Sequence, residues 1–193
     1  LTGEIIDKHG GLDDIQKRMI RVVDSEHFIE DPLRVLRAMQ FAGRFEFVIE
    51  EETAKLCRSL DLSELSKERI GEEWVKLLLK SPRPSIGLEA ARQLGILEQL
   101  HHELHELADT PQDPEWHPEG DVWIHTKLVT DIAAEIVRKH KLSDDTSLVI
   151  LFAALLHDVG KPATTAQNDK GGITAHGHSE AGIEPAQAFL RTM

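Results

Sequence analysis

Apolar positions recur at intervals of three and four along most of the chain, and the strict alternation of a half-buried strand is absent. Leu12, Ile15, Met19 and Val22 predict a first helix. Residues 32–44 predict a second, Arg-rich helix carrying Leu33, Leu36, Phe41 and, just beyond, Phe45; Pro32 suits its first turn and Asp31 its N-cap. A third helix is expected over 50–60. A fourth, over 66–80, has Ile70, Trp74, Leu77 and Leu78 as its apolar stripe, and Ser81-Pro82-Arg83-Pro84 stops it. Residues 85–94 follow, with Gly95 as C-cap. Residues 108–120 contain Pro111, Pro114 and Pro118 and no period, which predicts a long loop and a domain junction. Beyond it, 121–139 carries Ile124, Leu128, Ile132 and Ile136 on one face. Ser143, with Asp144 and Asp145 after it, caps a helix that is apolar nearly all round and is therefore expected to be centrally buried. A polar loop over 164–172 precedes a last helix from about His178. The pattern predicts an all-α fold, divided into residues 1–107 and 108–193.

Composition narrows the setting. The 193 residues carry a net charge of −12, with 15 basic and 19 acidic side chains in residues 1–100 and 7 against 15 in the rest. So acidic a second half suits a cation site better than a general nucleic-acid surface. The single Cys57 excludes an internal disulfide and fits a reducing compartment. The longest uninterrupted apolar run, residues 148–156, falls short of the roughly 20 residues that cross a bilayer, and no signal peptide is visible. A soluble cytoplasmic protein without a membrane partner is the expectation. The chain starts at Leu1 rather than Met, and we expect it to be a piece of a longer protein.

The chemistry centres on His157-Asp158 in Leu155-Leu156-His157-Asp158-Val159-Gly160-Lys161. Imidazole and carboxylate are natural ligands for divalent transition metals. Two such groups ending the most apolar helix would be costly to bury unpaired, so a metal or a strong hydrogen-bond network must offset their burial. A metal there would lower the pKa of its water and polarise a phosphoryl oxygen, and Lys161, within one turn, could stabilise phosphate charge. His125 lies upstream, near the edge of an amphipathic helix, and His176-Gly177-His178 lies downstream.

These residues resemble an HD-superfamily phosphohydrolase over 116–182. The matching segments are Trp123-Ile124-His125-Thr126, His157-Asp158-Val159-Gly160-Lys161 and His176-Gly177-His178-Ser179-Glu180. The resemblance implies that His125, His157 and Asp158 are metal ligands and His178 a further ligand or phosphate-site residue, with His157, Asp158 and Lys161 carrying the catalysis and Mn, Ni or Co as the metal. The superfamily's last ligand is an Asp on a later helix, and no Asp follows Glu180 here.

The first half holds a second constellation, Glu30-Asp31-Pro32-Leu33-Arg34-Val35-Leu36-Arg37. Asp31, Arg34 and Arg37 share one helical face. Carboxylate and guanidinium can imitate the edge of a complementary base, although an N-cap Asp31 paired with Arg34 explains the same residues. Together with Glu4 to Asp14, Arg18, Arg21, Phe41-Ala42, Arg44-Phe45 and Glu68-Arg69-Ile70 with Glu73 and Lys76, this series resembles the neck and body of class II tRNA nucleotidyltransferases, the CCA-adding enzymes. The resemblance covers about residues 1–100. It implies ATP and CTP as ligands read through Asp31 and Arg34, with Arg37 beside them, and the tRNA 3' end as partner. It also implies a flexible element at Asp7, Gly10 and Gly11, and a supporting role for Arg69 and Glu73. Trp116-His117-Pro118-Glu119 is similar to the multifunctional CCA-adding enzymes, whose HD domain follows the body and is credited with phosphatase, 2'-nucleotidase and 2',3'-cyclic phosphodiesterase activity.

The family's polymerase head, with its Gly-Ser motif and Mg-holding carboxylates, has no counterpart before Asp7. The expectation is therefore a neck, body and HD domain that cannot add nucleotides alone, although its parent does. The alternatives are a free-standing HD-type nucleotide phosphohydrolase with an N-terminal helical regulatory module, and a non-catalytic tRNA-binding scaffold. Neither the oligomeric state nor the choice among CCA, CC-only and A-only addition is readable from the sequence.

Overall fold

Side-chain N-caps at Asp24, Glu50, Asp121 and Ser143 start four of the helices. In the computed structural model, which describes residues 3, 5–169 and 171–193, the chain builds thirteen helices and four two-residue strands among those residues. Glu4, part of the quoted resemblance, lies outside them. The first half comprises α1 (Gly11–Gln16), β1 (Met19–Ile20), α2 (Ser25–Phe28), α3 (Leu33–Phe45), β2 (Val48–Ile49), α4 (Glu51–Arg58), α5 (Lys67–Lys80), α6 (Pro84–Gln93), α7 (Ile96–Leu100) and α8 (His102–His105). The second comprises α9 (Val122–Lys139), α10 (Asp144–Leu156), α11 (Lys161–Thr164), β3 (Ala166–Gln167), β4 (Ile173–Thr174), α12 (His178–Ala181) and α13 (Ile183–Arg191). The fold is all-α.

Several sequence expectations need correcting. Leu12, Ile15, Met19 and Val22 do not share a helix. The chain leaves α1 through Arg18 at positive φ, and Met19–Ile20 pairs in parallel with Val48–Ile49, leaving Leu12 and Ile15 exposed. The polar loop over 164–172 is part of a small hairpin, with Ala166 opposite Thr174 and Gln167 opposite Ile173. The helix over 143–156 is not buried all round, because Leu151 and Leu155 are buried but Val149 is 71% exposed. The stretch Asp144–Thr164 is long and apolar enough by composition to cross a membrane, a test that the core helix of a soluble protein also passes.

The largest correction concerns α9. Its Ile124, Leu128, Ile132 and Ile136 face outward, with Ile132 56% exposed. The buried face is instead Trp123, Thr126, Thr130, Ala133, Ala134 and Val137. Small side chains let α9 approach its neighbours, and polar clamps hold it there. Asp131 accepts from Ser85 N at 2.8 Å and from Ser85 Oγ at 2.6 Å. The first of these bonds satisfies an orphan donor at the start of α6. Glu89 on α6 accepts from Trp123 Nε1 at 3.1 Å and Lys127 Nζ at 2.6 Å. Arg138 donates to the Ser81 carbonyl at 2.9 Å and the Pro82 carbonyl at 2.6 Å.

One apolar core runs through both halves, from Val35, Leu36 and Met39 on α3, through Trp74 and Leu77 on α5, to Leu155, Val159 and Phe189, and a second cluster joins Leu78 to Ala133, Ala134 and Val137 of α9 and Leu151 of α10. Trp74 is fully buried, and its Nε1 donates to His101 Nε2 at 2.8 Å. Phe189 of α13 packs edge-on against Trp74 at 5.2 Å, a favoured aromatic geometry that keys the last helix into the first half. Helices α3 and α6 meet at Gly43 and Gly87, where a Cβ on Gly43 would lie 3.3 Å from the Gly87 Cα.

Candidate metal centre

The end of α10 delivers the site. His157 is its C-cap, and the chain turns through Asp158, Val159 and Gly160 into α11. That turn buries Asp158 to 3% exposure, while His157 stays partly exposed. From α9, His125 brings its Nε2 to 3.9 Å from Asp158 Oδ2. From the start of α12, His178 brings its Nε2 to 3.7 Å from Asp158 Oδ1. His157 Nε2 is 3.0 Å from Oδ2. The four residues come from three separate elements, and the fold converges them on one carboxylate.

The far side of each imidazole decides what its near side can do. His157 Nδ1 lies 2.8 Å from the Ala154 carbonyl, and His178 Nδ1 lies 2.8 Å from the Ala175 carbonyl. A carbonyl only accepts, so each Nδ1 carries a proton and Nε2 is the nitrogen turned toward Asp158. His125 Nδ1 faces Glu119 Oε1 at 2.7 Å, a carboxylate oxygen that accepts in the same way. Three Nε2 atoms therefore point at one carboxylate. Lys161 Nζ lies 2.7 Å from Asp158 Oδ2 but is aligned on Gln112 Oε1, to which it donates at 2.6 Å. Oδ2 is thus buried next to a cation without an aligned hydrogen bond.

Charge follows the same logic. Burial pushes Asp158 upward, but His157 and Lys161 outweigh it and hold the carboxyl well below its usual range. Burial likewise pushes His157 down, and the Asp158 carboxylate more than reverses this, so its pKa is raised. Glu119 is held down to about 2 by its own backbone N–H, then by His117 and His125.

The donor set fits a metal ion. His125, His157 and Asp158 each offer a ligand atom, all within 4.8 Å of one another. In a tetrahedron with bonds of about 2.0–2.1 Å, donors stand about 3.4 Å apart, and the 3.0 and 3.9 Å separations to Oδ2 bracket that spacing. A cation would satisfy the orphaned Oδ2 and take the Nε2 atoms of His125 and His157. His178 reaches only the other oxygen. Beside the centre lies a cavity of about 290 Å³, lined by Gln112, Trp116, His117, Lys161, His176 and His178 among others. Lys161 thus stands between the carboxylate and the cavity. Sequence reasoning left Glu119 and Gln112 without a role at the site. Glu119 sits six residues before His125, and only the turn into α9 brings the two together.

The nucleotide-reading constellation is arranged differently from its sequence expectation. Asp31 pairs with Arg69, whose Nη2 reaches Oδ1 at 3.0 Å and Oδ2 at 2.9 Å, rather than with Arg34. The helix N-cap is Pro32, and Asp31 Oδ1 accepts from Leu33 N at 3.2 Å. Arg34 donates to the His27 carbonyl. Arg37 is exposed, with its guanidinium 5.7 Å from the Phe41 ring centre. The Asp7 carboxylate accepts from the backbone of His9, Gly11 and Leu12, so within this chain the Asp-x-x-Gly-Gly segment forms a capped turn.

Comparison with known proteins agrees with both halves. Residues 46–107 match the family described as "Probable RNA and SrmB- binding site of polymerase A", and residues 122–192 match the HD domain. The "Multifunctional CCA protein" of Halorhodospira halophila is 39% identical over 193 residues, covering 96% of this chain and 43% of the relative. Over nearly its whole length the chain is similar to the multifunctional CCA proteins. The protein of that name in Vibrio vulnificus is 41% identical over 169 residues, 84% of this chain and 39% of the relative. The chain thus spans less than half the length of these curated family members. Among solved structures, a "tRNA-processing enzyme (apo form I)" overlays 97% of this chain and 60% of its own, with a TM-score of 0.47 and 23% identity.

Proposed function

We propose that residues 108–193 form a divalent-metal phosphohydrolase site within a tRNA nucleotidyltransferase that builds or repairs the 3'-terminal CCA of tRNA. The observation that carries the hydrolase reading is the convergence of the His125, His157 and His178 Nε2 atoms on the buried Asp158, whose Oδ2 has no aligned hydrogen bond. His125, His157 and Asp158 hold the ion, with Mn, Ni or Co as the candidates, and His178 completes the shell or contacts phosphate. When bound, the ion supplies Lewis acidity toward a phosphoryl oxygen and toward water. The chain's own groups do the rest. Lys161 stabilises phosphate charge from the cavity wall, the Ala154 and Ala175 carbonyls orient His157 and His178, and the cavity beside them receives a phosphoester such as a 2',3'-cyclic phosphate, a 2'-nucleotide or a phosphomonoester.

For the parent protein, the name and identity of the relatives support CCA addition from CTP and ATP. In this reading Asp31, Arg34 and Arg37 take the nucleotide and residues 1–107 meet the tRNA. Mg belongs to the polymerase head, which is not among these residues. A cytoplasmic location is part of the same reading.

The test is metal analysis of the purified chain beside a His157→Ala variant. About one transition-metal ion per chain, lost in the variant, is expected. A wild-type chain that takes up no Mn, Ni or Co overturns the hydrolase reading and leaves the tRNA-facing helices as the functional part.

A further inference from the structure

Glu119 lies outside the metal-ligating set, yet its carboxylate is built into the site from behind. Oε1 is 2.7 Å from His125 Nδ1 and 3.0 Å from His117 Nδ1, so one oxygen collects both imidazoles. The two rings stack edge to face, 4.8 Å between centres. All three residues are partly buried, which limits competition from water.

These residues could themselves be read as a second metal site. The distances argue against it. Two donors on one ion with bonds of about 2.0–2.1 Å stand about 3.4 Å apart in a tetrahedron. The observed 2.7 Å is instead an ordinary charge-assisted N–H···O hydrogen bond. A carboxylate accepts only, so the proton must sit on His125 Nδ1. In the neutral ring the opposite nitrogen, Nε2, is then the bare one, and it is the one that faces Asp158. In His157 and His178 the Nδ1 proton is held by a backbone carbonyl instead. On α9 the carbonyls near His125 serve the helix, so a side chain must do this work.

We infer that Glu119 is the positioning residue that fixes the tautomer and rotation of His125, presenting its Nε2 to the metal, with His117 as the second clamp on the same oxygen. This rests on the metal-site reading above, but its first test needs no metal. Long-range ¹H–¹⁵N correlation spectra of the metal-free chain at neutral pH should show His125 as the Nδ1–H tautomer. In Glu119→Ala the ring should move toward the Nε2–H form, which free imidazole side chains favour. Glu119→Gln keeps an acceptor oxygen in place and should restore the Nδ1–H form. The second readout is affinity for Mn or Co by titration calorimetry. Loss of such an outer partner weakens binding roughly 10–100-fold, so Glu119→Ala should fall by that factor and Glu119→Gln by less. A His125 that stays Nδ1–H in a folded Glu119→Ala overturns the inference, as does a variant that melts earlier but binds metal as wild type does. If the wild-type chain binds no metal, the site reading fails while the tautomer spectrum still decides the role of Glu119.

Discussion

The position that joins fold to site most directly is Gly160, and Gly160→Ala is the sharpest test of the arrangement. Gly160 sits at ordinary φ, −88°, so no conformational freedom is at stake. What is at stake is space. A Cβ there would enter the His178 carbonyl and the Gly182 N, and would lie 2.9 Å from the Gly182 Cα. All three are backbone atoms, and no flexible side chain can move aside. Helix α12 must therefore retreat as a unit, carrying His178 away from Asp158. Overpacking of this kind costs about 1–3 kcal/mol, and the backbone nature of every contact puts the expectation at about 3 kcal/mol. Urea denaturation measures it, with the slope held as a check that the transition itself is unchanged. Gly177→Ala is the control. It has open space but φ of +79°. Its cost is therefore the left-handed strain of about 1–2 kcal/mol, without displacement of α12. Metal titration separates the two further, because only Gly160→Ala should disturb the His178 side of the centre while His125 and His157 keep their places. A Gly160→Ala chain within about 0.5 kcal/mol of wild type, the range of an innocuous surface substitution, would refute the close-packing argument.

Two further outcomes follow from pairs elsewhere in the chain. His101 is fully buried and accepts from Trp74 Nε1, which requires a neutral ring, with Glu103 Oε1 3.6 Å and Thr192 Oγ1 3.5 Å from its other nitrogen. Burial lowers its pKa from 6.5, with Glu103 opposing only in part. The unfolded chain therefore binds the proton first, so the stability contribution is complete above pH 6.5 and is lost as pH falls through the depressed folded value. The difference in urea midpoint between wild type and His101→Gln should be flat between pH 8 and 7 and change below 6.5, with the shallower fall in His101→Gln; a difference independent of pH would contradict this. The Asp31–Arg69 pair is partly exposed, with side-chain exposures of 32% for Asp31 and 47% for Arg69. A double-mutant cycle with Asp31→Asn and Arg69→Ala should therefore give a coupling below about 1 kcal/mol. A coupling of about 2 kcal/mol, beyond what exposed pairs give, would make the pair a structural brace and weaken the case that Asp31 is available to a nucleotide.

How much of this was legible in the chain depends on whether the deciding signal was local. Helix α5 could be read because its apolar period and the prolines that stop it agree, and Ile70, Trp74, Leu77 and Leu78 are all buried as marked, whereas α3 buries Val35, Leu36, Met39 and Ala42 and leaves Phe45 exposed. The candidate metal site could be located because His157-Asp158 is adjacent and sits at a helix end. Helix α9 shows where local reasoning stops. Its strongest apolar stripe, Ile124 to Ile136, points outward, because burial is decided by what α6 and α10 can accommodate. Close approach selects Thr126, Thr130 and Ala133, and the clamps at Ser85 and Glu89 lie more than thirty residues away in sequence. Strand β1 failed for a related reason: two residues carry no period, and their partner is Val48–Ile49. The partner of Asp31 was hidden in the same way, since Arg69 lies 38 positions away while Arg34 is three. Glu119 stands between these cases. It is only six residues from His125, but a Pro-rich turn gives no register from which their contact could be derived. Local periodicity therefore located the elements and the reactive pair, and the side chains that orient them became visible only once tertiary contacts were known.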